Sequence, residues 1–388
     1  MKRVGIIAFK TIAVLILIGA AIGIWKREEI TRLMAVNSLF AEDKIVRNFS
    51  HMDQAFLNTP VPKGKGKATI LTKDVQIELD QETRTWVKDR SVTSLVVLKS
   101  GDLVFEEYYQ GTMDDDLRIS WSVAKSFLSA LVGILLEEGA IASIDDPVTK
   151  YVPLLKGSGY ETATLKNVLQ MSSGVEFDED YLDKNSDINR MGREIALGGT
   201  LDGFSAGISK TFAEPGKVMQ YVSIDTHVIG MVVRGATGRS VTSLLSEKII
   251  MPLGLEKEPY YLTDGEGVAF VLGGLNLTTR DYARFGQMIL QDGFYNGQQI
   301  IPKDWIYAST KASANTKAGE RGYGYQWWIP AVNPRAGEFF AHGIYGQYIY
   351  IDRNSDTVIV VNSVDRGFRE DGVSNHNIEI FRRITAAL

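Results

Sequence analysis

Apolar residues follow three different rhythms along the chain. From Gly5 to Trp25 they are nearly continuous, broken only by Lys10 and Thr11. A helical run of about 20 apolar residues matches the hydrocarbon thickness of a bilayer. Lys2 and Arg3 precede the run and Lys26 and Arg27 follow it; the leading pair favours a cytoplasmic amino end. No small-x-small cleavage site comes directly after it, so an uncleaved anchor is expected, with a cleaved signal as the alternative. Either form places the rest of the chain outside the cytoplasm, on the periplasmic or extracellular face.

The second rhythm is helical. Phe127, Leu128, Leu131, Ile134 and Leu135 recur at helix spacing, as do Tyr282, Phe285, Met288 and Ile289 behind a cap at Thr278 or Thr279. The third is strand-like. Ser94–Lys99 and Leu103–Tyr109 flank the turn Ser100-Gly101-Asp102, and four further runs follow near the carboxy end: Tyr323–Ile329, Gly337–Ala341, Gln347–Asp352 and Thr357–Ser363. Ser374–Leu388 reads as a closing helix. Strands at both ends with helices between them predict an α+β domain in which one antiparallel sheet unites the two ends and carries a helical insertion. Residues 28–58 read as a membrane-proximal helix and connector, and Pro60, Pro62 and the alternating Lys63–Lys67 stretch as a linker. The expected division is a cytoplasmic end over 1–4, an anchor over 5–25, a connector over 26–68 and a catalytic domain over 69–388.

Charge and composition narrow the chemistry. The formal net charge is −5, with no basic cluster of the kind that nucleic acid requires. There are no cysteines, which removes disulfides, thiolate metal sites and cysteine nucleophiles together. The four histidines, His51, His227, His342 and His376, are far apart and none has zinc-type spacing. No metal and no cofactor are expected. The pair that carries chemistry is Ser122 and Lys125, three apart at the start of the Phe127 helix, so that amine and hydroxyl share one face. First-turn amides and the positive end of the helix dipole favour an oxyanion there. A capping serine followed by a snorkelling lysine fits the same residues.

Three motifs in order settle on a resemblance. Ser122-Val123-Ala124-Lys125, then Tyr221-Val222-Ser223 after Pro215-Gly216, then Ala341-His342-Gly343 on an expected strand, resemble those of the serine β-lactamase and penicillin-binding-protein superfamily. Gly273–Asn276 leading into Thr279-Arg280-Asp281 looks like its class C branch, and within that branch the chain looks most like the 6-aminohexanoate-dimer hydrolases and related esterases. The resemblance covers the chain from about residue 70. It implies a β-lactamase/transpeptidase-like fold: an antiparallel five-stranded sheet flanked by helices. It also implies a serine hydrolase that cuts a small amide or ester through a Ser122 acyl-enzyme, with Lys125 as base and Tyr221 as proton carrier. The oxyanion hole would be the N–H groups of Ser122 and Ile344.

Departures from the family pattern bear on the substrate. Ser223 stands where class C enzymes have asparagine, and Ala341 and His342 stand where lysine and threonine are usual if Gly343 and Gly346 set the frame. A frame starting at His342 is the rival. Losing the motif lysine argues against efficient β-lactam turnover. Glu176, Asp178, Glu179, Asp180, Asp183 and Asp187 make one loop acidic, which suggests attraction of a substrate ammonium, with Tyr181 covering it; a solvated surface loop is the plainer reading. Tyr181, Asp187, Ser223, His342 and Gly343 are therefore the substrate-contact candidates. A carboxylesterase, a D-alanine-type peptidase and a non-catalytic anchored penicillin-binding-like protein remain alternatives. Gly203-Phe204-Ser205-Ala206-Gly207 also fits a nucleophile elbow, though no apolar strand precedes it. Oligomeric state is not legible.

Overall fold

The computed structural model describes residues 2–181 and 183–388, so that Met1 of the expected cytoplasmic end lies outside the described residues. Its main sheet follows from the strand-like runs at the two chain ends. In chain order the strands are β1 (Val92–Lys99), β2 (Asp102–Tyr108), β3 (Gly322–Tyr323), β4 (Trp328–Ile329), β5 (Glu338–Gly343), β6 (Gln347–Asp352) and β7 (Thr357–Ser363). They lie side by side as β2-β1-β7-β6-β5-β4-β3, with every pair antiparallel. The five strands of the expected sheet are the long ones, and the two-residue β4 and β3 extend it at one edge. β7 brings the carboxy-terminal hairpin against β1, so the sheet cannot close until both ends of the chain are present.

Near-continuous apolar runs in β1 and β7 arise because both sheet faces are covered. Val358 and Val360 enter one core, and Ile359 and Val361 the other. The helices named here are α1 (Lys2–Trp25), α2 (Arg27–Asn37), α3 (Ala124–Glu137), α4 (Asp187–Ala196), α5 (Ser223–Thr237), α6 (Thr279–Leu290) and α7 (Val373–Ala386). The larger core joins one face to α3, α5 and α6, and the smaller one joins the other face to α7. Thr278 caps α6 through a hydrogen bond from Asp281 N–H, 3.1 Å, as its position predicts. Gly286 lets α6 lie flush on the sheet: a Cβ there would stand 2.6 Å from Val358 Cγ1 and 2.9 Å from Ile349 Cγ2.

The amino-terminal region differs from the expected division. α1 carries exposed apolar residues from Phe9 to Trp25, including Leu17 and Ile24. Among the described residues no single helix is long and apolar enough to cross a membrane; Phe9–Trp25 and Arg27–Asn37 reach that length only together, bent by 72°. Beyond α2 the chain is not a connector. Leu39, Ile45, Phe49 and Met52 are buried in a third core with Ile119, Leu262 and Val364. Arg118 donates to the Val46 carbonyl (2.8 Å) and the Ser50 hydroxyl (2.7 Å). Asn58–Pro60 pairs antiparallel with Tyr260–Leu262, and buried Val61 donates to the Pro259 carbonyl at 2.8 Å.

The folded body therefore begins near Leu39, not at residue 69. Prolines and the Lys-Gly alternation mark an exposed turn, whereas the apolar residues before it share a core with residues far along the chain, Ile119, Leu262 and Val364, which no local pattern displays. Phe49 is the test of this strap. Phe49→Ala should lower the stability of the chain by about 3–5 kcal/mol, as for other fully buried aromatic truncations. Urea unfolding measures it, and an unchanged midpoint would return the segment to the status of a tether.

Candidate active site

Ser122 sits where a strand ending is turned sharply into a helix. Arg118–Ile119 pairs with Asn276–Leu277, Ser120 N–H donates to the Leu275 carbonyl (2.8 Å), and a single 3-10 turn over Trp121–Val123 then leads into α3. Trp121 makes the bend at φ +43°, a left-handed conformation that a bulky residue adopts only where packing holds it. The holding groups come from the strap: Phe49 lies 5.5 Å and Phe40 5.9 Å from the Trp121 ring. Ser122 is thereby displayed before the first turn of α3 instead of being wound into it.

Lys125, one turn on, is 2% exposed, and its amine has no hydrogen-bond partner. It lies 5.5 Å from the centre of the Tyr221 ring. Burial pushes its pKa down to about 7, opposed by the charges of Glu179 and Asp225. A lysine in this condition is a base near neutrality and not a fixed cation.

Tyr221 ends the loop before α5. Its ring stacks on Trp328 (5.4 Å, 22°) and meets Tyr323 edge-on. Its hydroxyl lies beside Ser122 and Ser223. Burial, and then the Glu179 charge, raise its pKa, so the phenol keeps its proton and is fitted to donate. Glu179 organises this side of the site: it accepts from Ser223 N–H, from Ser223 Oγ (3.3 Å) and from the Tyr181 hydroxyl (2.9 Å). The acidic loop is thereby tied to the first turn of α5, where a carboxylate also opposes the helix dipole.

The third motif closes from the sheet. Gly343 ends β5 against the serine turn: a Cβ there would stand 2.7 Å from Ser120 O, 3.0 Å from Trp121 Cβ and 3.1 Å from Ser122 N. Only glycine lets the strand approach so closely. Ile344 and Tyr345 follow, Tyr345 at φ +60°, stacked on Phe40 (5.0 Å, 14°) and edge-on to Phe49 (5.4 Å). The residues flanking both candidate oxyanion amides thus rest on the same two phenylalanines. Ser122, Ile344, Tyr181 and Ser223 share the wall of one cavity of about 1250 Å³.

Several expected contacts are not brought there. His342 points to the opposite sheet face from Gly343, because side chains alternate along a strand. It stacks on Tyr348 (4.4 Å, 17°), and burial together with Arg321 pushes its pKa down to about 3, leaving it neutral. Asp187 does not line the cavity: it pairs with Arg190 (2.7 Å) and accepts from Asp178 N–H (3.0 Å) at the start of α4. Asp183 accepts from Asn185 N–H (2.8 Å), so these acids are spent within their own loop. Ser205 of the elbow-like motif is fully buried on a six-residue helix and donates to the Leu201 carbonyl (2.8 Å), which removes it as a nucleophile.

Two residues escaped the sequence reading. Glu179 was one acid among six, and its only local signal was the spacing to Tyr181, which puts both side chains on one side of an extended chain. Asp225, four after Tyr221, is fully buried with Oδ1 held by Ser173 (2.8 Å) and Tyr160 (2.9 Å), while Oδ2 has no partner. Burial raises its pKa to about 7, and Lys125 opposes the rise. An acid one turn into a helix ordinarily reads as a dipole partner, so nothing local marked it.

Comparison with known proteins places these features in a family. The Beta-lactamase family model matches residues 79–380. The 6-aminohexanoate-dimer hydrolase of Paenarthrobacter ureafaciens is 31% identical over 288 residues, covering 71% of this chain and 73% of that protein. A solved Bacillus anthracis structure provisionally described as a 6-aminohexanoate-dimer hydrolase superposes with a TM-score of 0.79 at 26% identity, over 89% of this chain and 95% of that one. A family VIII carboxylesterase shares the fold, with a TM-score of 0.60 at 16% identity over 81% and 99% of the two chains.

Lys125 and Asp225 face each other's charge, and the sign of their coupling is testable. While Asp225 is ionised it favours the ammonium form, so Asp225→Asn should lower the Lys125 pKa from about 7 by about one unit or more. Nitrogen-detected NMR titration of the lysine amine measures the shift; no change, or a rise, would show that Asp225 stays neutral beside it.

Proposed function

Because the chain belongs to the Beta-lactamase family, we propose that it is a serine hydrolase that cleaves a linear amide or ester through an acyl-enzyme on Ser122. The observation that carries this reading is the buried and unpartnered Lys125 amine one turn after Ser122, 5.5 Å from the ring of the proton-retaining Tyr221 phenol. The named activities of the relatives, on the 6-aminohexanoate dimer and on carboxylic esters, support the linear amide and ester classes.

In the proposed cycle Ser122 Oγ attacks the carbonyl carbon while its proton passes to neutral Lys125, directly or through Tyr221. The carbonyl π pair moves onto oxygen and is met by the Ser122 and Ile344 N–H groups, each such donor being worth about 3 kcal/mol. Collapse of the tetrahedral adduct breaks the C–N or C–O bond. Tyr221 gives its proton to the departing atom and is reprotonated from Lys125. Water then repeats the sequence, releasing the acid and restoring Ser122. The high Tyr221 pKa suits a donor, and the depressed Lys125 pKa suits a base; environment separates the two roles. Ala341 places a methyl group where β-lactam-binding relatives carry a lysine, which supports weak β-lactam turnover.

We also propose that α1 seats the amino end in a membrane with the hydrolase outside the cytoplasm, on the strength of its exposed apolar residues, among them Phe9, Leu15, Leu17 and Ile24. Cell fractionation should find the whole chain with membranes and a chain lacking residues 1–26 in the soluble fraction; a soluble whole chain would overturn it. For the chemistry, the whole chain should turn over a p-nitrophenyl ester and a linear 6-aminohexanoate dimer faster than a chromogenic cephalosporin. Ser122→Ala should lower kcat at least about a thousandfold. Turnover that survives in Ser122→Ala would assign the nucleophile elsewhere.

A further inference from the structure

One carboxylate beside the site is held by neutral groups. Glu179 accepts from Ser223 N–H, from Ser223 Oγ (3.3 Å) and from the Tyr181 hydroxyl (2.9 Å). These donors replace part of its lost hydration, while burial raises its pKa against them. The cation whose charge acts on it is Lys125. One side chain of the acidic loop is therefore tied into the reactive cluster, whereas Asp183 and Asp187 accept from amides of their own loop.

Glu179 also stands next to both groups that handle protons. Ser223, which it holds, opens α5 two residues after Tyr221. Tyr181 shares the cavity wall with Ser122 and Ser223. The Glu179 charge raises the pKa of Lys125 and that of Tyr221 alike. Two further charged groups face the pair: Asp225 of α5 acts on Lys125, and Arg321, just before β3, acts on Tyr221 in the opposite sense. A plain helix cap accounts for the Ser223 bonds, since a carboxylate at a first turn opposes the dipole. It does not account for the further bond to Tyr181 or for a place beside the base.

Resting on the Ser122 acyl-enzyme reading, we infer that Glu179 is a positioning residue: it fixes the cavity-lining Tyr181 to the first turn of α5 and sets one negative charge beside both Lys125 and Tyr221. The tether keeps the loop over the cavity. The charge keeps the Tyr221 proton in place and strengthens the pull of Lys125 on the Ser122 proton. Because one side chain does both, lifting the loop with Glu179 withdraws the charge from the base as well.

Three variants of the whole chain separate the tether from the charge. The base works only when neutral, so the acid limb of kcat/KM against pH follows the Lys125 pKa. Glu179→Gln removes a charge that favours the ammonium form, and the limb, measured on a p-nitrophenyl ester, should move to lower pH by about half a unit or more. Its kcat should fall at least about tenfold, because a displaced proton donor is costly. Glu179→Asp keeps the charge and should leave the limb nearer its native place. Tyr181→Phe breaks the tether alone: the limb should hold while KM rises at least about threefold. An unmoved limb in Glu179→Gln, or an unchanged KM in Tyr181→Phe, would overturn the inference. Nitrogen-detected NMR of the Lys125 amine in the Ser122→Ala chain reads the charge without catalysis. There Glu179→Gln should lower the pKa from about 7, and no shift overturns the inference whatever the activity. Turnover that survives Ser122→Ala would instead sink the acyl-enzyme reading and leave the NMR result standing.

Discussion

Everything around the reactive serine is arranged to keep one amine dry. Lys125 has lost its water and gained no hydrogen bond, a condition that costs several kcal/mol if the group stays charged. The fold tolerates it because the amine can become neutral. An aromatic ring covers it, and two carboxylates stand near enough to make the choice of charge reversible and not fixed. A solvated lysine at the same position would stay protonated at neutral pH, and the proposed Ser122 nucleophile would face an acid in place of a base.

Geometry is the second constraint, and it comes from opposite ends of the chain. Trp121 and Tyr345 each hold a left-handed backbone conformation, and each sits next to a candidate oxyanion amide. Neither conformation is intrinsically favoured for an aromatic residue. Phe40 and Phe49 lie between them, so one small aromatic cluster stabilises two strained turns more than 220 residues apart. Gly343 completes the arrangement by removing the atom that would have kept sheet and helix apart.

The sheet, the serine helix and the three motifs were legible because each is local. Strand runs, a hairpin turn, helical spacing and a Ser-x-x-Lys pair are all short patterns, and the two glycines of the third motif fixed its frame. What escaped was long-range. The strap read as a connector because Leu39, Phe49 and Met52 form no periodic face; their partners are Ile119, Leu262 and Val364. Asp187 read as a substrate contact, and Asp183 as part of a substrate-attracting loop, because composition counts charges but does not show which are already satisfied within a turn. His342 failed for a simpler reason: strand alternation sends the neighbour of an active glycine to the far face.

The strap has a consequence for how the protein comes into being. A chain emerging from the ribosome presents Phe40 and Phe49 first, the serine and its lysine next, and Ile344 and Tyr345 only near the end. Until β5 and β6 are synthesised, the proposed nucleophile lacks the Gly343 backbone that packs against its turn and the candidate Ile344 amide. On the proposed mechanism the nascent protein therefore carries its nucleophile before the site around it is complete, and β5 and β6 complete it. A nucleophile made early and completed late passes through synthesis without acting on what surrounds it.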